Sequence, residues 1–207
     1  MGRCVIIGGA EIRNYETVRP YLRQDDFFIF CDSGLYHLKK LMVRPDLIIG
    51  DFDSHPKPDL PVETIVLPRE KDDTDTGYAA REAVKRGFSD FLLLGVIGGR
   101  LDHTLGNVSL LLWLEEQGKT AVAVDDYSQM KIISRQKAYV TEDTAYFSLL
   151  NITGEAKGLS ITGAKYPLNG AELRCEDQYG VSNEVLPGET AAVTLEKGRL
   201  LLIEIRR

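Results

Sequence analysis

Short apolar runs alternate with helix-like stretches over the first 125 residues of the chain. The apolar runs predict β-strands over 3–7, 27–31, 47–49, 63–67, 91–94 and 120–124. The stretches between them predict helices over 15–23, 35–42, 75–86 and 104–117. Strands that are apolar throughout are buried on both faces, and helices between them indicate a mostly parallel sheet with helices on both faces. We therefore expect an α/β fold for this part of the chain.

The two longest predicted helices carry further signals. Thr74 is placed to cap the helix over 75–86. The helix over 104–117 shows apolar residues at helical spacing. Its apolar face is expected to contain Leu105, Val108, Leu111 and Leu112.

The pattern changes after Asp125, where helical periodicity gives way to short β-like runs. These runs cover 131–134, 138–141, 145–150, 158–162, 171–175, 191–196 and 200–205. Turn signals punctuate them at Asn169-Gly170, Pro187-Gly188 and Lys197-Gly198. We therefore predict two domains, an α/β domain over 1–126 and a small antiparallel sandwich or barrel over 127–207.

Composition narrows the class of protein. The net charge is −6, which argues against a broad nucleic-acid surface, because such a surface needs clustered Lys and Arg. The longest strongly apolar run, 110–114, is far too short to span a bilayer. Cys4, Cys31 and Cys175 form no zinc pattern, and the start of the chain lacks the apolar core of a secretory signal. We expect a soluble cytoplasmic protein with no nucleic-acid or membrane partner.

Acidic or glycine-rich segments follow five of the predicted strands. In an open α/β sheet, ligands bind outside the carboxyl ends of the strands. The five segments are Gly8-Gly9, Asp32-Ser33-Gly34, Gly50-Asp51-Phe52-Asp53-Ser54, Lys71-Asp72-Asp73-Thr74-Asp75 and Gly98-Gly99-Arg100-Leu101-Asp102-His103. Ordinary polar loops with helix caps explain one or two such segments, but they explain five poorly. The sequence therefore predicts a binding site at this edge of the sheet.

The acids of these segments indicate a metal. Asp51 and Asp53 alternate in a segment expected to be extended, so both point the same way while Phe52 turns toward the core. Neighbouring carboxylates repel unless a cation lies between them, and oxygen ligands that leave room for water and phosphate suit Mg²⁺. The predicted metal ligands are Asp51, Asp53, Asp72, Asp75 and Asp102.

Several of these acids have a structural alternative. Asp75 lies in the first turn of a helix, where the helix dipole favours an acid. Asp72 can serve as a capping residue. Asp102 can be a loop acid ahead of a helix that His103 or Thr104 caps.

Arg100 is the natural counter-ion of this acidic edge, either as a phosphate ligand or in an ordinary loop ion pair. His103 is assigned no catalytic role. The chain lacks a Ser/His/Asp or Cys/His nucleophile pattern and the GxxxxGK[ST] phosphate loop. The chemistry must therefore rest on a metal and on positioning, as phosphoryl transfer generally does.

These motifs, in their order along the chain, resemble those of the thiamine pyrophosphokinase family. Two further segments, 163–168 (GAKYPL) and 180–184 (GVSNE), resemble the second-domain motifs of that family. The resemblance covers almost the whole chain. It implies an α/β nucleotide-binding domain followed by a β-sandwich, and transfer of the terminal diphosphate of ATP to the hydroxyl of thiamine. It also implies a homodimer with thiamine between the first domain of one subunit and the second domain of the other.

The resemblance assigns roles to individual residues. The catalytic residues it implies are Asp51, Asp53, Asp75 and Asp102. The residues it places at ATP are Gly8, Gly9, Asp32, Thr74, Arg100 and Asn107. The residues it places at thiamine are Tyr166, Ser182 and Asn183. Tyr166 stands where animal members carry a thiamine-stacking Trp, and its ring gives a weaker cation–π attraction. The alternative is an ordinary strand aromatic.

The implied mechanism is in-line attack of the thiamine hydroxyl on the β-phosphorus of ATP, with Asp75 or Asp102 accepting or orienting the proton. One rival function is a magnesium-dependent phosphate-ester hydrolase or simple kinase at the same sheet edge. A second rival is a non-catalytic protein that binds a small molecule through an acidic metal site.

Overall fold

The computed structural model describes residues 2–53, 57–68, 70 and 72–207. The chain separates into two compact units, the first ending at Asp126 and the second beginning at Tyr127. Ser54 and Lys71 of the predicted motifs, and the histidine His55, lie outside the described residues.

Parallel strands form the sheet of the first unit. They are β1 (Cys4–Ile7), β2 (Phe27–Cys31), β3 (Leu47–Gly50), β4 (Glu63–Val66), β5 (Asp90–Leu94) and β6 (Thr120–Val124). Their order across the sheet is β4-β3-β2-β1-β5-β6, with every pair parallel. All residues of β1 and β3 are buried, as expected of strands covered on both faces. The predicted strands of this unit are therefore confirmed.

Helices connect these strands. The α-helices are α1 (Tyr15–Val18), α2 (Leu38–Leu41), α3 (Asp75–Lys85) and α4 (Leu101–Glu116), and 3₁₀ helices cover Arg19–Tyr21 and Asp32–His37. The predicted helices at 15–23 and 35–42 are thus each divided between one α-helical turn of four residues and three 3₁₀ residues. Pro20 lies in the first turn of one 3₁₀ segment, where its missing N–H cannot continue an α-helical ladder. Among the described helices, none combines the length and apolar character needed to cross a bilayer.

The two long helices compare differently with their predictions. Thr74 caps α3 as predicted, because its Oγ1 accepts a hydrogen bond from the Gly77 N–H at 3.1 Å. Helix α4 begins three residues before the predicted start, so His103 and Thr104 lie inside its first turn and cap nothing. The predicted apolar face is wrong at Leu105, which is 58% exposed. The buried positions are Asn107, Leu110, Leu111 and Leu114, an i, i+3, i+4, i+7 stripe that includes a polar residue.

Helices cover both faces of the sheet. On one face, residues such as Val5 and Phe28 form a buried cluster with Val18 of α1 and Leu41 of α2. On the other face, α3 packs against β1, β2 and β3 with three completely buried alanines, Ala79, Ala80 and Ala83. The first unit therefore has the predicted α/β architecture.

Short antiparallel strands make up the second unit. They are β7 (Ser128–Ile133), β8 (Ala138–Thr141), β9 (Thr144–Leu150), β10 (Ala156–Lys157), β11 (Leu159–Thr162), β12 (Leu168–Ala171), β13 (Thr190–Thr194), β14 (Lys197–Gly198) and β15 (Leu200–Arg206). Within this unit the strands run β7-β15-β9 in one sheet, β12-β11-β13-β8 in a second, and β10-β14 in a small third. Phe147 and Leu202 of one sheet share a buried cluster with Val140 and Val193 of another. The unit is therefore a sandwich.

Two predicted turns of the second unit are wrong. Asn169-Gly170 lies inside β12, and the strand predicted at 171–175 is displaced toward the amino terminus. Gly170 has φ 63°, and the register against β11 shifts there as in a β-bulge. Lys197-Gly198 forms the short strand β14. Pro187-Gly188 is a turn as predicted, with the Glu189 N–H donating to the Leu186 carbonyl at 3.0 Å.

Candidate active site

Three aspartates meet at the carboxyl edge of the parallel sheet. Asp32 follows β2, Asp51 follows β3, and Asp75 begins α3 after β4. Each offers a carboxylate oxygen, and these oxygens lie within 4.8 Å of one another. Asp32 is only 5% exposed. Because β2, β3 and β4 are neighbours in the sheet, their ends bring the three side chains together, and we call this group the aspartate cluster.

The backbone around the aspartate cluster is held in uncommon conformations. Asp32 has φ 33° and Phe52 has φ 56°, both in the left-handed region that non-glycine residues rarely adopt. A Cβ on Gly50 would lie 2.9 Å from the Cβ of Asp32, so a glycine is needed for the end of β3 to pass Asp32. Strained residues of this kind collect at functional sites, at about 1–3 kcal/mol each.

The prediction that Asp51 and Asp53 point the same way assumed an extended segment. That assumption is wrong, because the segment from Asp51 to Asp53 is turned. The left-handed backbone at Phe52 turns the chain, and the Asp53 N–H donates to Asp51 Oδ1 at 3.2 Å. Phe52 packs against the buried cluster of the first unit, as predicted. Asp53 lies outside the aspartate cluster.

Asp72 also lies outside the cluster. It borders a cavity of about 370 Å³ with Leu67, Pro68, Asp73, Tyr78 and Arg81. Its neighbour Asp73 accepts hydrogen bonds from the Thr74 N–H at 3.0 Å and from Arg81 Nε at 2.7 Å. The loop before α3 is thus ordered by Asp73, which sequence reasoning assigned no role.

Asp102 follows β5, and β1 separates β5 from β2 in the sheet. It forms an exposed ion pair with Arg100, with 2.6 Å between Nη2 and Oδ2. The Arg100 guanidinium lowers the pKa of Asp102, and Asp102 in turn raises the pKa of Arg100. The structure therefore shows the ion pair that the sequence left open, with both groups facing solvent. The prediction that Asp102 is a loop acid ahead of the helix is wrong, because Asp102 lies in the first turn of α4.

The glycine turn after β1 is bound to the end of β5. The Gly8 N–H donates to the Leu94 carbonyl and the Ala10 N–H donates to the Gly95 carbonyl, both at 2.8 Å. A Cβ on Gly8 would approach the Gly95 oxygen to 2.6 Å. The turn therefore lies close against its neighbour with its backbone at the same edge as the aspartate cluster.

Asn107 and Thr74 are linked through Thr76. The buried Asn107 donates from Nδ2 to the Val96 carbonyl at 2.9 Å and accepts from Thr76 Oγ1 at 3.0 Å. The hydroxyls of Thr76 and Thr74 lie 3.1 Å apart. This chain joins α3, α4 and the end of β5. Thr76 carried no signal in the sequence, because a hydroxyl in the first turn of a helix is common.

The three residues expected at thiamine lie together in the second unit. Asn183 is 5% exposed, and its Oδ1 accepts from the N–H groups of Tyr166 at 3.0 Å and Glu184 at 2.9 Å. Its Nδ2 donates to the Tyr166 carbonyl at 2.8 Å. The amide therefore binds backbone on both sides of Tyr166, whose ring stays largely exposed.

Two further side chains surround Tyr166 and Ser182. Ser182 has φ 60°, and its N–H donates to Ser148 Oγ at 3.1 Å. Lys165 Nζ lies 2.6 Å from Glu184 Oε1 and 5.6 Å from the centre of the Tyr166 ring. The sequence assigned no role to Ser148 or Lys165. Ser148 lies on β9, far along the chain from Ser182, whereas Lys165 directly precedes Tyr166 and its partner Glu184 is distant.

An oxygen-only acidic cluster beside a glycine turn, at the carboxyl edge of a parallel sheet, is typical of enzymes that handle phosphates with a hard cation. Comparison with known proteins identifies the family. The family model of the thiamin pyrophosphokinase catalytic domain matches residues 18–123, and the model of the thiamin pyrophosphokinase vitamin B1 binding domain matches residues 130–200. The chain belongs to the thiamin pyrophosphokinase family.

Similar proteins align with almost the whole length of the chain. Thiamine pyrophosphokinase of Bacillus subtilis is 25% identical in an alignment of 206 residues that covers 96% of each of the two chains. A crystal structure of the Bacillus subtilis enzyme has a TM-score of 0.86 at 24% identity, covering 99% of each chain. The thiamin pyrophosphokinase of Geobacillus thermodenitrificans has a TM-score of 0.84 at 28% identity, covering 100% of this chain and 98% of that one. The predicted family, fold class and enzyme class, an ATP-dependent diphosphotransferase, are confirmed.

Proposed function

We propose that this chain transfers diphosphate from ATP to thiamine with Mg²⁺ held by Asp32, Asp51 and Asp75. The observation that carries the metal site is the approach of three carboxylates to within 4.8 Å, one of them buried. Like charges at this distance repel, and a divalent cation between them removes the repulsion. The donor set is all oxygen, which fits Mg²⁺. When bound, the ion would neutralise charge on the phosphate oxygens.

ATP is proposed to lie along the same edge of the first unit. The Gly8-Gly9 turn would face its phosphates, and Arg100 could exchange the carboxylate of Asp102 for a phosphate, because guanidinium groups bind both in the same bidentate way. Thr74 and Asn107 would order this edge through Thr76. The other predicted acids, Asp53, Asp72 and Asp102, remain proposed site residues that act outside the aspartate cluster.

Thiamine is proposed to bind through the second unit, with the exposed ring of Tyr166 stacked on it and Ser182 and Asn183 close by. The proposed residues for ATP and for thiamine fall in different units. This division supports the family expectation of a homodimer, in which the first unit of one subunit and the second unit of the other enclose thiamine.

A cytoplasmic location is part of the same proposal. Cys4, Cys31 and Cys175 are thiols rather than disulfides, and cysteines kept as thiols are typical of proteins in a reducing compartment.

In the proposed reaction the thiamine hydroxyl attacks the β-phosphorus of ATP. A bond forms between that oxygen and phosphorus, the bond to the bridging oxygen of the α-phosphate breaks, and AMP leaves with the electron pair. The hydroxyl proton passes to a carboxylate. The candidates for this carboxylate are Asp75 and Asp102. Arg100 lowers the pKa of Asp102, so Asp102 accepts a proton less readily than an ordinary aspartate does.

Product analysis tests this function. The protein incubated with Mg-ATP and thiamine should give AMP and thiamine diphosphate in equal amounts, and removal of Mg²⁺ with a chelator should stop the reaction. Formation of ADP would indicate a simple kinase, and nucleotide hydrolysis without thiamine would indicate a hydrolase. Binding of both ligands without turnover would indicate the non-catalytic alternative.

A further inference from the structure

A buried histidine lies beneath the glycine turn, and the roles proposed above do not use it. His37, 5% exposed, is the last residue of the 3₁₀ helix that begins with Asp32. Its Nε2 lies 3.0 Å from the Ala10 carbonyl oxygen, and its Nδ1 lies 2.6 Å from the Tyr15 hydroxyl. Both ring nitrogens therefore have a partner inside the protein.

The partners determine the form of the imidazole. A carbonyl oxygen can only accept, so Nε2 must carry the hydrogen that is donated to Ala10. In a neutral imidazole Nδ1 is then an acceptor, and the Tyr15 hydroxyl is its donor. Burial lowers the pKa of His37, and nearby Lys40 lowers it further, while the Ala10 carbonyl and Asp126 act in the opposite direction. His37 is thus a neutral link between two fixed groups.

The link joins two parts of the candidate active site. On one side, the Ala10 N–H donates to the Gly95 carbonyl at 2.8 Å, which attaches the turn to the end of β5. On the other side, His37 ends the 3₁₀ helix whose first residue is Asp32, a member of the aspartate cluster. The imidazole therefore spans from the end of β1 to the segment after β2.

Tyr15 is itself anchored. It begins α1, and Asn14 before it caps that helix by accepting from the Glu16 N–H at 3.1 Å. The carboxylate of Asp126 accepts from the N–H groups of Arg13 and Asn14 at 2.7 and 3.0 Å. A fixed hydroxyl keeps the His37 ring in one orientation.

We infer that His37 is a positioning residue for the nucleotide, which sets the separation between the glycine turn at Gly8–Ala10 and the aspartate cluster at Asp32. This inference rests on the proposed function, since it requires the phosphates of ATP to lie between these two elements. The ring touches neither the metal ligands nor the substrate; it acts through the Ala10 carbonyl and through its own helix.

Three variants test the inference, with Mg-ATP binding measured directly in the absence of thiamine. His37→Leu fills the space without polar atoms and should weaken ATP binding about tenfold, the effect of removing a buried hydrogen-bonding partner. The KM for thiamine should stay unchanged. His37→Gln can return an N–H to the Ala10 carbonyl and should recover part of the loss. Asp26→Asn, a buried polar change at the opposite edge of the sheet, should lower the melting temperature and leave ATP binding unchanged.

Hydrogen exchange adds a local readout. In His37→Leu the amide of Ala10 should exchange faster, while amides of β1 and β2 keep their protection. If His37→Leu does not fold, Tyr15→Phe removes one hydrogen bond and keeps the ring, and should weaken ATP binding about threefold.

Two results would overturn the inference in different ways. A His37→Leu variant that loses stability as Asp26→Asn does, yet binds Mg-ATP like the unmodified protein, would show a merely structural histidine. An unmodified protein that binds no Mg-ATP would overturn the proposed function, and this inference with it.

Discussion

Strand β2 has a buried aspartate just outside each of its ends, and the two aspartates have opposite surroundings: a cation at one end and other carboxylates at the other. Asp26, before the strand, has a completely buried side chain. Arg3 binds both of its oxygens, from Nε at 3.0 Å and from Nη2 at 2.8 Å. Asp32, after the strand, lies instead with the carboxylates of Asp51 and Asp75.

The contrast between Asp26 and Asp32 indicates that the amino edge of the sheet serves stability and the carboxyl edge serves the proposed function. At the amino edge the charge of Asp26 is neutralised by a residue of the same chain, so folding completes the pair. At the carboxyl edge three carboxylates meet, and the proposed cation would remove the repulsion between them. The proposed function therefore places an ion pair within the protein at one edge of the sheet and a bound ligand at the other.

The largest expected effect comes from Asp51→Asn, which removes one charge from the aspartate cluster. We expect the rate of thiamine diphosphate formation to fall about 10³-fold, in the range found for lost electrostatic stabilisation of a transition state. Without Mg²⁺ the melting temperature should stay the same or rise, because repulsion is relieved. Asp59→Asn, an exposed acid in the loop that follows Asp51, is the control and should keep full activity. If Asp51→Asn markedly lowers the melting temperature without Mg²⁺, the three carboxylates stabilise the fold, and the contrast with Asp26 at the amino edge is wrong.

The second effect is at the amino edge. Asp26→Asn leaves Arg3 buried without a charged partner and should lower the free energy of unfolding by about 3–5 kcal/mol. Urea unfolding measures this change. At temperatures where the variant is folded, its KM for ATP and for thiamine should match the unmodified protein. Lost affinity for either substrate would mean that the two edges are not independent.

Asn183 extends the comparison to the second unit. Its amide is satisfied by backbone, as Asp26 is by Arg3, although it lies where thiamine is proposed to bind. Asn183→Asp replaces the N–H donor to the Tyr166 carbonyl with an oxygen and should raise the KM for thiamine about tenfold with little change in kcat. If Asn183 acts through Tyr166, adding Tyr166→Ala should bring little further loss. Additive losses would instead show that Asn183 contacts thiamine directly.

The smallest expected effect is a pH dependence from His37. In the folded protein the pKa of His37 lies below the ordinary value of 6.5, which it has in the unfolded chain. Between the folded and the unfolded pKa, the unfolded chain therefore binds more protons. Stability should therefore be full above about pH 6.5 and fall as the pH is lowered through this window. His37→Gln should show a shallower decline, measured as melting temperature against pH. Lys40 and Asp126, the charged groups that act on the ring, are present in both proteins, so they do not account for a difference between them. If the melting temperature falls equally steeply with pH in both proteins, His37 does not cause the pH dependence of stability.

The local pattern predicted much of the fold because it reports burial directly. The bounds predicted for β2, β6 and β8 match those observed, since continuous apolar or alternating runs define them. Thr74 was identifiable as a cap from a second local signal, a hydroxyl residue immediately before a helical stretch. Phe52 could not be predicted in the left-handed region, because nothing in an Asp-Phe-Asp segment distinguishes an extended backbone from a turned one.

The sequence by itself determined the family, the α/β class of the first unit, the β character of the second, and the presence of an acid after several strands. Only the tertiary structure decided which acids meet. Asp32 joins Asp51 and Asp75 because β2, β3 and β4 are adjacent, whereas Asp102 follows β5 on the far side of β1. Strand order depends on pairing between segments distant along the chain, and the apolar pattern of a strand shows that it is buried without showing which strand lies beside it.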